Sequence, residues 1–353
     1  MHDPSQGRVV GCCRRSGLRY AEAMVTWEPD ILGERFERAT LPLAPDPQGD
    51  VVATLVRTRR SRWQRLTASV KNLSDVDVLY VHGWVDYFFQ RHVAEAWEET
   101  GARFHALDLR KYGRSLREHQ TPGYISDLET YDEDIEGALH AMGHGKGQRP
   151  TRRLFIMAHS TGGLTMSLWV HRNPGRAHAL VLNSPWLEFQ IGGIGREALT
   201  PLLEIGARIT PLRSLPQVDY GFYTRTISDQ FEGEWHIDPR WRPERGFATH
   251  TAWLAAIFAA QRKVASGLSI DIPVLVLLSS ASTISRTWAE PMRTTDIVLN
   301  VDEVAQRVPR LGNAVTLIRV EGAIHDVTLS APPVRQRVKL ELQRWLAGYG
   351  REW

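Results

Sequence analysis

The reading of this chain turns on Leu154-Phe155-Ile156-Met157-Ala158-His159-Ser160-Thr161-Gly162-Gly163. Residues 154–158 form a short apolar run of the kind a buried strand shows. The residues beyond Ser160 read as a helix that stops at Asn173-Pro174-Gly175. A serine between a strand and a helix, in a small-x-Ser-x-Gly string, sits on a sharp, strained turn that exposes its hydroxyl. The residues two before and two after it must be small, and Ala158 and Gly162 are. Glycine is the usual residue at the first of these places, and alanine is the mildest departure from it.

A serine hydroxyl is a poor nucleophile until a base takes its proton. With the order Ser, acid, His expected of such a turn, the base lies late in the chain. His325, in Glu321-Gly322-Ala323-Ile324-His325-Asp326, follows the last expected strand, 315–319, and is the only histidine after His250. The acid should follow the strand expected over 273–278, yet Ser279-Ser280-Ala281-Ser282 stands there. Glu290, Asp296 and Asp302 come further on. Asp296 is the choice, which implies a loop insertion between strand and acid. Asp302 reads as the N-cap of the next helix.

An oxyanion formed by attack on a carbonyl needs two fixed donors. One is the backbone N–H of Thr161. The other comes from His82-Gly83-Trp84-Val85-Asp86-Tyr87, the loop after an apolar strand over 78–81, with the Trp84 N–H as donor and Gly83 permitting the tight path. His82 and His159 are expected to pack and hydrogen-bond around the site. Together with Gly83, Tyr87 and Trp186 they complete the expected pocket.

Outward from this stretch the pattern alternates. Strands are expected over 36–43 and 51–57, with a turn at Pro45-Asp46-Pro47-Gln48-Gly49, and again over 103–107 and 179–183. Phe89, Val93, Ala96 and Trp97 share one helical face, ended by Gly101. Ser126 with Glu129 reads as a capping box for a helix carrying Leu128, Tyr131, Ile135 and Leu139. Val334, Val338, Leu342 and Trp345 mark a last helix. Repeated strand–helix–strand units mean a parallel sheet with helices on both faces. The alternation breaks over 187–267, a Pro- and Trp-rich stretch read as an inserted helical cap. The core is then 24–186 and 268–353, and 1–23 is a flexible tail or follows a start site placed ahead of Met24.

At 353 residues with 42% hydrophobic and 24% charged residues, the chain is globular. Its 43 Lys and Arg against 40 Asp and Glu leave +3, too little to argue for a nucleic-acid partner. The apolar stretch 252–260 is too short to span a bilayer, and 1–23 lacks an apolar leader run. Cys12 and Cys13 are the only cysteines and cannot frame a fold, so a reducing, cytoplasmic setting is expected. No other cysteine completes a metal site with them.

The His82-Gly83 loop, the stretch Asp108-Leu109-Arg110-Lys111-Tyr112-Gly113-Arg114-Ser115, the serine turn and Gly322-Ala323-Ile324-His325 together resemble the monoacylglycerol lipase and lysophospholipase branch of the α/β hydrolases, often labelled with the serine aminopeptidases. In that branch the Asp108 stretch usually reads D-x-R-G-H-G-x-S, and here Lys111 and Tyr112 replace its first glycine and histidine. The resemblance implies the α/β-hydrolase fold, Ser160, Asp296 and His325 as a triad, an acyl-ester or lipid substrate, a helical cap and no metal or organic cofactor. Another serine hydrolase of the same fold (a lactonase, thioesterase, C–C hydrolase or peptidase) is the alternative, and a ligand-binding protein without turnover is a third. The oligomeric state is not legible.

Overall fold

The computed structural model describes residues 25–59, 72–190, 192–216 and 219–350. The expected tail 1–23, with its two cysteines, lies outside the described residues. The strands are β1 (Glu28–Pro29), β2 (Phe36–Asp46), β3 (Gly49–Thr58), β4 (Val76–Val81), β5 (Arg103–Asp108), β6 (Arg153–His159), β7 (Ala179–Asn183), β8 (Val274–Ser279) and β9 (Val315–Val320). They form one sheet in the order β1-β2-β3-β5-β4-β6-β7-β8-β9. The first four in that order pair antiparallel, and every pairing from β5 to β9 is parallel.

The helices are α1 (Arg91–Glu99), α2 (Tyr131–Met142), α3 (Ser160–Arg172), α4 (Gly192–Ile209), α5 (Phe222–Ile227), α6 (Thr251–Ser266), α7 (Val301–Arg307) and α8 (Pro332–Tyr349). Successive strand residues point to opposite faces, so each buried strand feeds two cores. Leu79, Val81, Ile156, Ala158, Leu180 and Leu182 pack with Ile135 of α2, Leu164 and Trp169 of α3 and Ile257 of α6. Val78, Tyr80, Phe155, Met157 and Val181 pack with Val93 and Trp97 of α1 and Leu342 and Trp345 of α8. Both faces are thus covered, and the central strands read as continuous apolar runs for that reason. Fully burying one such side chain contributes about 1.5–3 kcal/mol.

The fold is the expected mostly parallel α/β-hydrolase sheet with helices on both faces. Local corrections concern caps. Asp127, not Ser126, accepts the Glu129 N–H, at 2.9 Å, and starts a 3₁₀ turn, Leu128–Thr130, that leads into α2. Asn300, not Asp302, caps α7 by accepting the Asp302 and Glu303 N–H groups. Both shifts replace one oxygen-bearing side chain by another nearby, a choice that spacing leaves open. Phe89 precedes α1 rather than lying on it.

Between β7 and β8 the chain forms α4, α5 and α6, with only isolated bridges, Ser214 with His250, Ser228 with Trp235 and Ile270 with Gly312, among the described residues there. No helix among the described residues is long and apolar enough to cross a membrane. The strand order reverses between β4 and β6, whose register sets Val81 beside Ala158. Ligands of open α/β sheets gather at the carboxyl ends around such a point. The loops leaving β4 and β6 there are the two singled out in the sequence.

Candidate active site

Ser160 is the first residue of α3, directly after β6, and its φ is +52°. A left-handed backbone at a residue with a Cβ is strained and persists only where the surroundings enforce it. They do so by close packing. A Cβ on Gly162 would collide with the carbonyl oxygens of Val81 and His82, and one on Gly163 would lie 2.8 Å from Pro185 Cβ. The turn is therefore pressed against the end of β4 on one side and the chain after β7 on the other. The Trp186 N–H donates to the Ser160 carbonyl at 3.0 Å, fixing that second side.

His325 lies in the loop after β9. Its Nε2 is 3.0 Å from Ser160 Oγ and its Nδ1 is 2.9 Å from Asp296 Oδ2. A carboxylate only accepts, so Nδ1 carries the proton and Nε2 presents its lone pair to the serine hydroxyl. Ser160, His325 and Asp296 are 6%, 2% and 0% exposed, so these bonds lie out of bulk water. The His325 loop is anchored by its neighbour. Asp326 Oδ1 accepts from Asn183 Nδ2 at 2.6 Å and Thr328 Oγ1 at 2.6 Å, and Asn183 Oδ1 accepts from the Val327 N–H at 3.1 Å.

Asp296 reaches the histidine because the chain after β8 leaves the sheet and returns. Its N–H donates to the Ala281 carbonyl at 3.0 Å and its own carbonyl accepts from the Thr283 N–H at 2.8 Å. These bonds close the excursion 283–295 back onto the strand's end. The other carboxylate oxygen, Oδ1, accepts from the Val298 and Leu299 N–H groups, both at 2.8 Å. Glu290 and Asp302, the other acids weighed in the sequence, are exposed, and Asp302 pairs with Arg319 instead.

Gly83 lies beside the serine. A Cβ on it would be 2.9 Å from Ser160 Cβ and 3.1 Å from His159 Nδ1. His82 is buried and committed to the loop. Its Nε2 accepts from the Leu109 N–H at 3.1 Å, so Nδ1 donates to the Gly83 carbonyl at 2.7 Å. Burial holds its pKa below the usual histidine value, which suits the neutral ring. His82 thus shapes the loop. Tyr87 is tied into the fold in a similar way. Its hydroxyl accepts from the Asp238 N–H at 2.9 Å, and burial pushes its pKa up to about 12. Trp84, Trp253 and Trp186 form an aromatic run, with centroids 3.8 Å apart for the first pair and 6.0 Å for the second.

The Asp108 stretch lies beneath this loop. Asp108 accepts from the Phe88 N–H at 2.9 Å and the Arg114 N–H at 3.0 Å, and pairs with the Arg114 guanidinium at 2.8 Å. Lys111, at φ +65°, pairs with Asp46. Every bond here is internal to the scaffold, so the segment braces the loop from below.

Several polar residues around the site were not singled out in the sequence. Asp86 pairs with Arg242 at 2.6 Å, and its second oxygen is 3.5 Å from His159 Nδ1. Burial alone would raise the Asp86 carboxyl, but Arg242 and then His159 hold it below its ordinary value. The Tyr223 hydroxyl accepts from the Asp326 N–H at 3.1 Å, and its ring centre is 5.4 Å from that of His325. Arg242 and Tyr223 come from the 187–267 stretch, where no periodic pattern marks them. No group of three or more metal-ligating side chains lies among the described residues. A separate cleft of about 190 Å³ between α1 and α8, floored by Met157 and Leu277, includes none of the site residues named from sequence.

The profile of a family described as serine aminopeptidase, S33, matches residues 74–331. A monoacylglycerol lipase of Mycolicibacterium smegmatis is 29% identical over 109 residues, which span 31% of this chain and only 37% of that protein. Two solved structures share the fold. One is the Paleococcus ferrophilus monoacylglycerol lipase, with a TM-score of 0.56 and 19% identity over 77% of this chain and 94% of that one. The other is a soluble variant of Saccharomyces cerevisiae monoglyceride lipase in complex with a substrate analogue, with a TM-score of 0.57 and 13% identity over 88% and 96%. The profile spans well over half of the chain and takes in the β4 loop, the serine turn, Asp296 and His325, and on that ground this chain belongs to the serine aminopeptidase S33 family of α/β hydrolases.

Proposed function

We propose that the chain is a serine hydrolase that cleaves carboxylic esters of medium or long acyl chains, monoacylglycerol-like, through an acyl-enzyme on Ser160. The observation that carries this reading is the hydrogen-bonded chain Ser160 Oγ–His325 Nε2 and His325 Nδ1–Asp296 at 3.0 and 2.9 Å. Ser160 Oγ attacks the ester carbonyl as His325 Nε2 takes its proton, and Asp296 holds the tautomer and stabilises the imidazolium. Negative charge then develops on the former carbonyl oxygen. The Thr161 and Trp84 N–H groups are its donors, the first at the N-terminus of α3, where the helix dipole adds positive potential. His325 passes its proton to the leaving alcohol, and water attacks the acyl-enzyme in the mirrored step.

Two observations favour esters over the N-terminal peptide substrates that the family's label suggests. The aromatic run Trp84–Trp253–Trp186 adjoins the serine turn through the Trp186 N–H, and apolar walls suit an acyl chain. Peptide recognition would need an uncommitted carboxylate for the free amine. The nearby buried carboxylates already face other groups, Asp86 the Arg242 guanidinium and His159, and Asp326 Asn183 and Thr328. The inserted stretch 187–267 would then serve as the cap over the acyl site.

Measuring kcat/KM across p-nitrophenyl esters of increasing chain length tests this. Each added buried methylene should contribute up to about 0.8 kcal/mol until the site is full, a rise of up to about fourfold per methylene. A steady fall from acetate upward, or faster cleavage of alanine or proline anilides than of any ester, would rule the reading out.

A further inference from the structure

Val85 stands at φ +52°, a left-handed conformation that a β-branched residue reaches only when its surroundings impose it. It lies in the loop after β4, one residue past Trp84. Besides the brace that the Asp108 stretch gives from below, the inserted stretch grips this loop residue by residue. The Trp84 ring is 3.8 Å from that of Trp253 and 6.0 Å from that of Phe247. Val85 packs over Gly246, where a Cβ would come 3.4 Å from Val85 Cγ2. Asp86 Oδ1 accepts from Arg242 Nη1 at 2.6 Å, and the Tyr87 hydroxyl accepts from the Asp238 N–H at 2.9 Å.

Among these contacts the Asp86–Arg242 pair is distinct. Both side chains are almost wholly buried, at 1% and 5% exposure, so the pair is shielded from bulk water. A buried ion pair is a weak source of stability, since the desolvation of two charges offsets their attraction. It is a strong source of position, because either charge left alone would be expensive to bury. Asp86 Oδ2 also lies 3.5 Å from Nδ1 of His159, the residue before the serine. One carboxylate therefore spans the insert, the loop after β4 and the serine turn. On the insert side the Arg242 guanidinium lies 5.0 Å over the ring of Tyr223, whose hydroxyl holds the N–H next to His325.

We infer that Arg242 is a positioning residue for the reaction: through Asp86 it clamps the strained loop 84–87 so that the Trp84 N–H faces the developing oxyanion. The insert then completes the oxyanion site rather than only covering it. This rests on reading Ser160 as the nucleophile and the Trp84 N–H as an oxyanion donor.

The test removes both charges at once, so that neither is left buried alone. In Asp86→Leu/Arg242→Met two apolar side chains of similar size replace the pair, an exchange that buried ion pairs often tolerate. The variant should keep the near-UV circular dichroism of the parent. Its kcat on a p-nitrophenyl ester should fall about 100-fold, the loss typical of a missing oxyanion donor, with KM within about threefold of the parent. A purely structural role would lower the folded fraction and leave that split unmoved. If the double variant does not fold, Arg242→Lys takes its place. It keeps the charge but lacks the planar fork, and kcat should fall at least about tenfold at unchanged KM. A folded double variant, or Arg242→Lys, with kcat within about threefold of the parent overturns the inference. Labelling the unmodified chain with a fluorophosphonate separates the two levels. If Ser160 is not labelled, the reading of the site fails and the inference falls with it; if it is labelled and the variants retain kcat, only the clamp is wrong.

Discussion

Asp296 does several things at once at the residue scale. One oxygen takes the His325 Nδ1 proton in a hydrogen bond, the other takes two backbone N–H groups, and the backbone of Asp296 closes its own loop. An amide at this position can present its NH₂ to His325 and favour the wrong tautomer. In a measured protease that change costs about 10⁴ in kcat. Asp296→Asn should therefore lower kcat by about that factor. Asp302→Asn should leave it within about twofold, because Asp302 is exposed and pairs only with the half-exposed Arg319 at the surface. Steady-state kinetics on one ester compare the two directly, and a crippled Asp302 variant beside an active Asp296 variant would move the acid. Ser160 and His325 were legible because each sits at a strand's end in a recognisable local string. Asp296 was legible by elimination only, since its closeness in space depends on bonds that bring a loop back. Arg242, Tyr223 and Asp86 were not legible: their roles arise from contacts between stretches distant in sequence, and no spacing encodes those.

At the scale of elements, the turn from β6 into α3 has no slack. The backbone carbonyls of Val81 and His82 occupy the space a Cβ on Gly162 would need. Backbone cannot swing aside as a side-chain tip can, so Gly162→Ala must push α3 away from β4. Overpacking of this kind costs about 1–3 kcal/mol. It also moves the Thr161 N–H relative to the Gly83–Trp84 loop, and a displacement of about 1 Å can cost 10²-fold in rate. Gly162→Ala is therefore expected to melt several degrees lower and to lose about 100-fold in kcat/KM, as thermal unfolding and ester kinetics would show. Parent-like values in both would mean that the packing there is looser than the carbonyl positions indicate. The buried strands β4, β6, β7 and β8 were readable because burial on both faces leaves largely continuous apolar runs. The two-residue β1, exposed at the sheet's edge, carries no such pattern and was not foreseen. The side-chain caps of the 3₁₀ turn leading into α2 and of α7 fell one or two residues from expectation because several oxygen-bearing side chains stand at each start.

For the whole molecule, sheet order and insertion point act together. The reversal of strand order between β4 and β6 opens the crevice, and the parallel pairing of β7, β8 and β9 beyond it lines up the carboxyl ends from which Asn183, Asp296 and His325 are delivered. The stretch that leaves after β7 meets the site again through Trp253, Phe247, Arg242 and Tyr223. Strand–helix alternation made the sheet legible, and its interruption marked off the stretch 187–267, proposed above as the cap. The internal path of that stretch was not legible, because several of its aromatic residues, among them Trp235, Trp241, Phe247 and Trp253, pack against the core rather than on a repeating face of their own. All of the proposed chemistry depends on one hydroxyl. The most direct measurement is mass-spectrometric mapping of the adduct formed by a fluorophosphonate, run beside ester hydrolysis by Ser160→Ala. A nucleophilic Ser160 predicts a single covalent adduct on the peptide containing it, no adduct on the variant, and loss of turnover by on the order of 10⁶ with the fold retained. An adduct on another residue, or a Ser160→Ala protein that keeps more than a few per cent of activity, would contradict it.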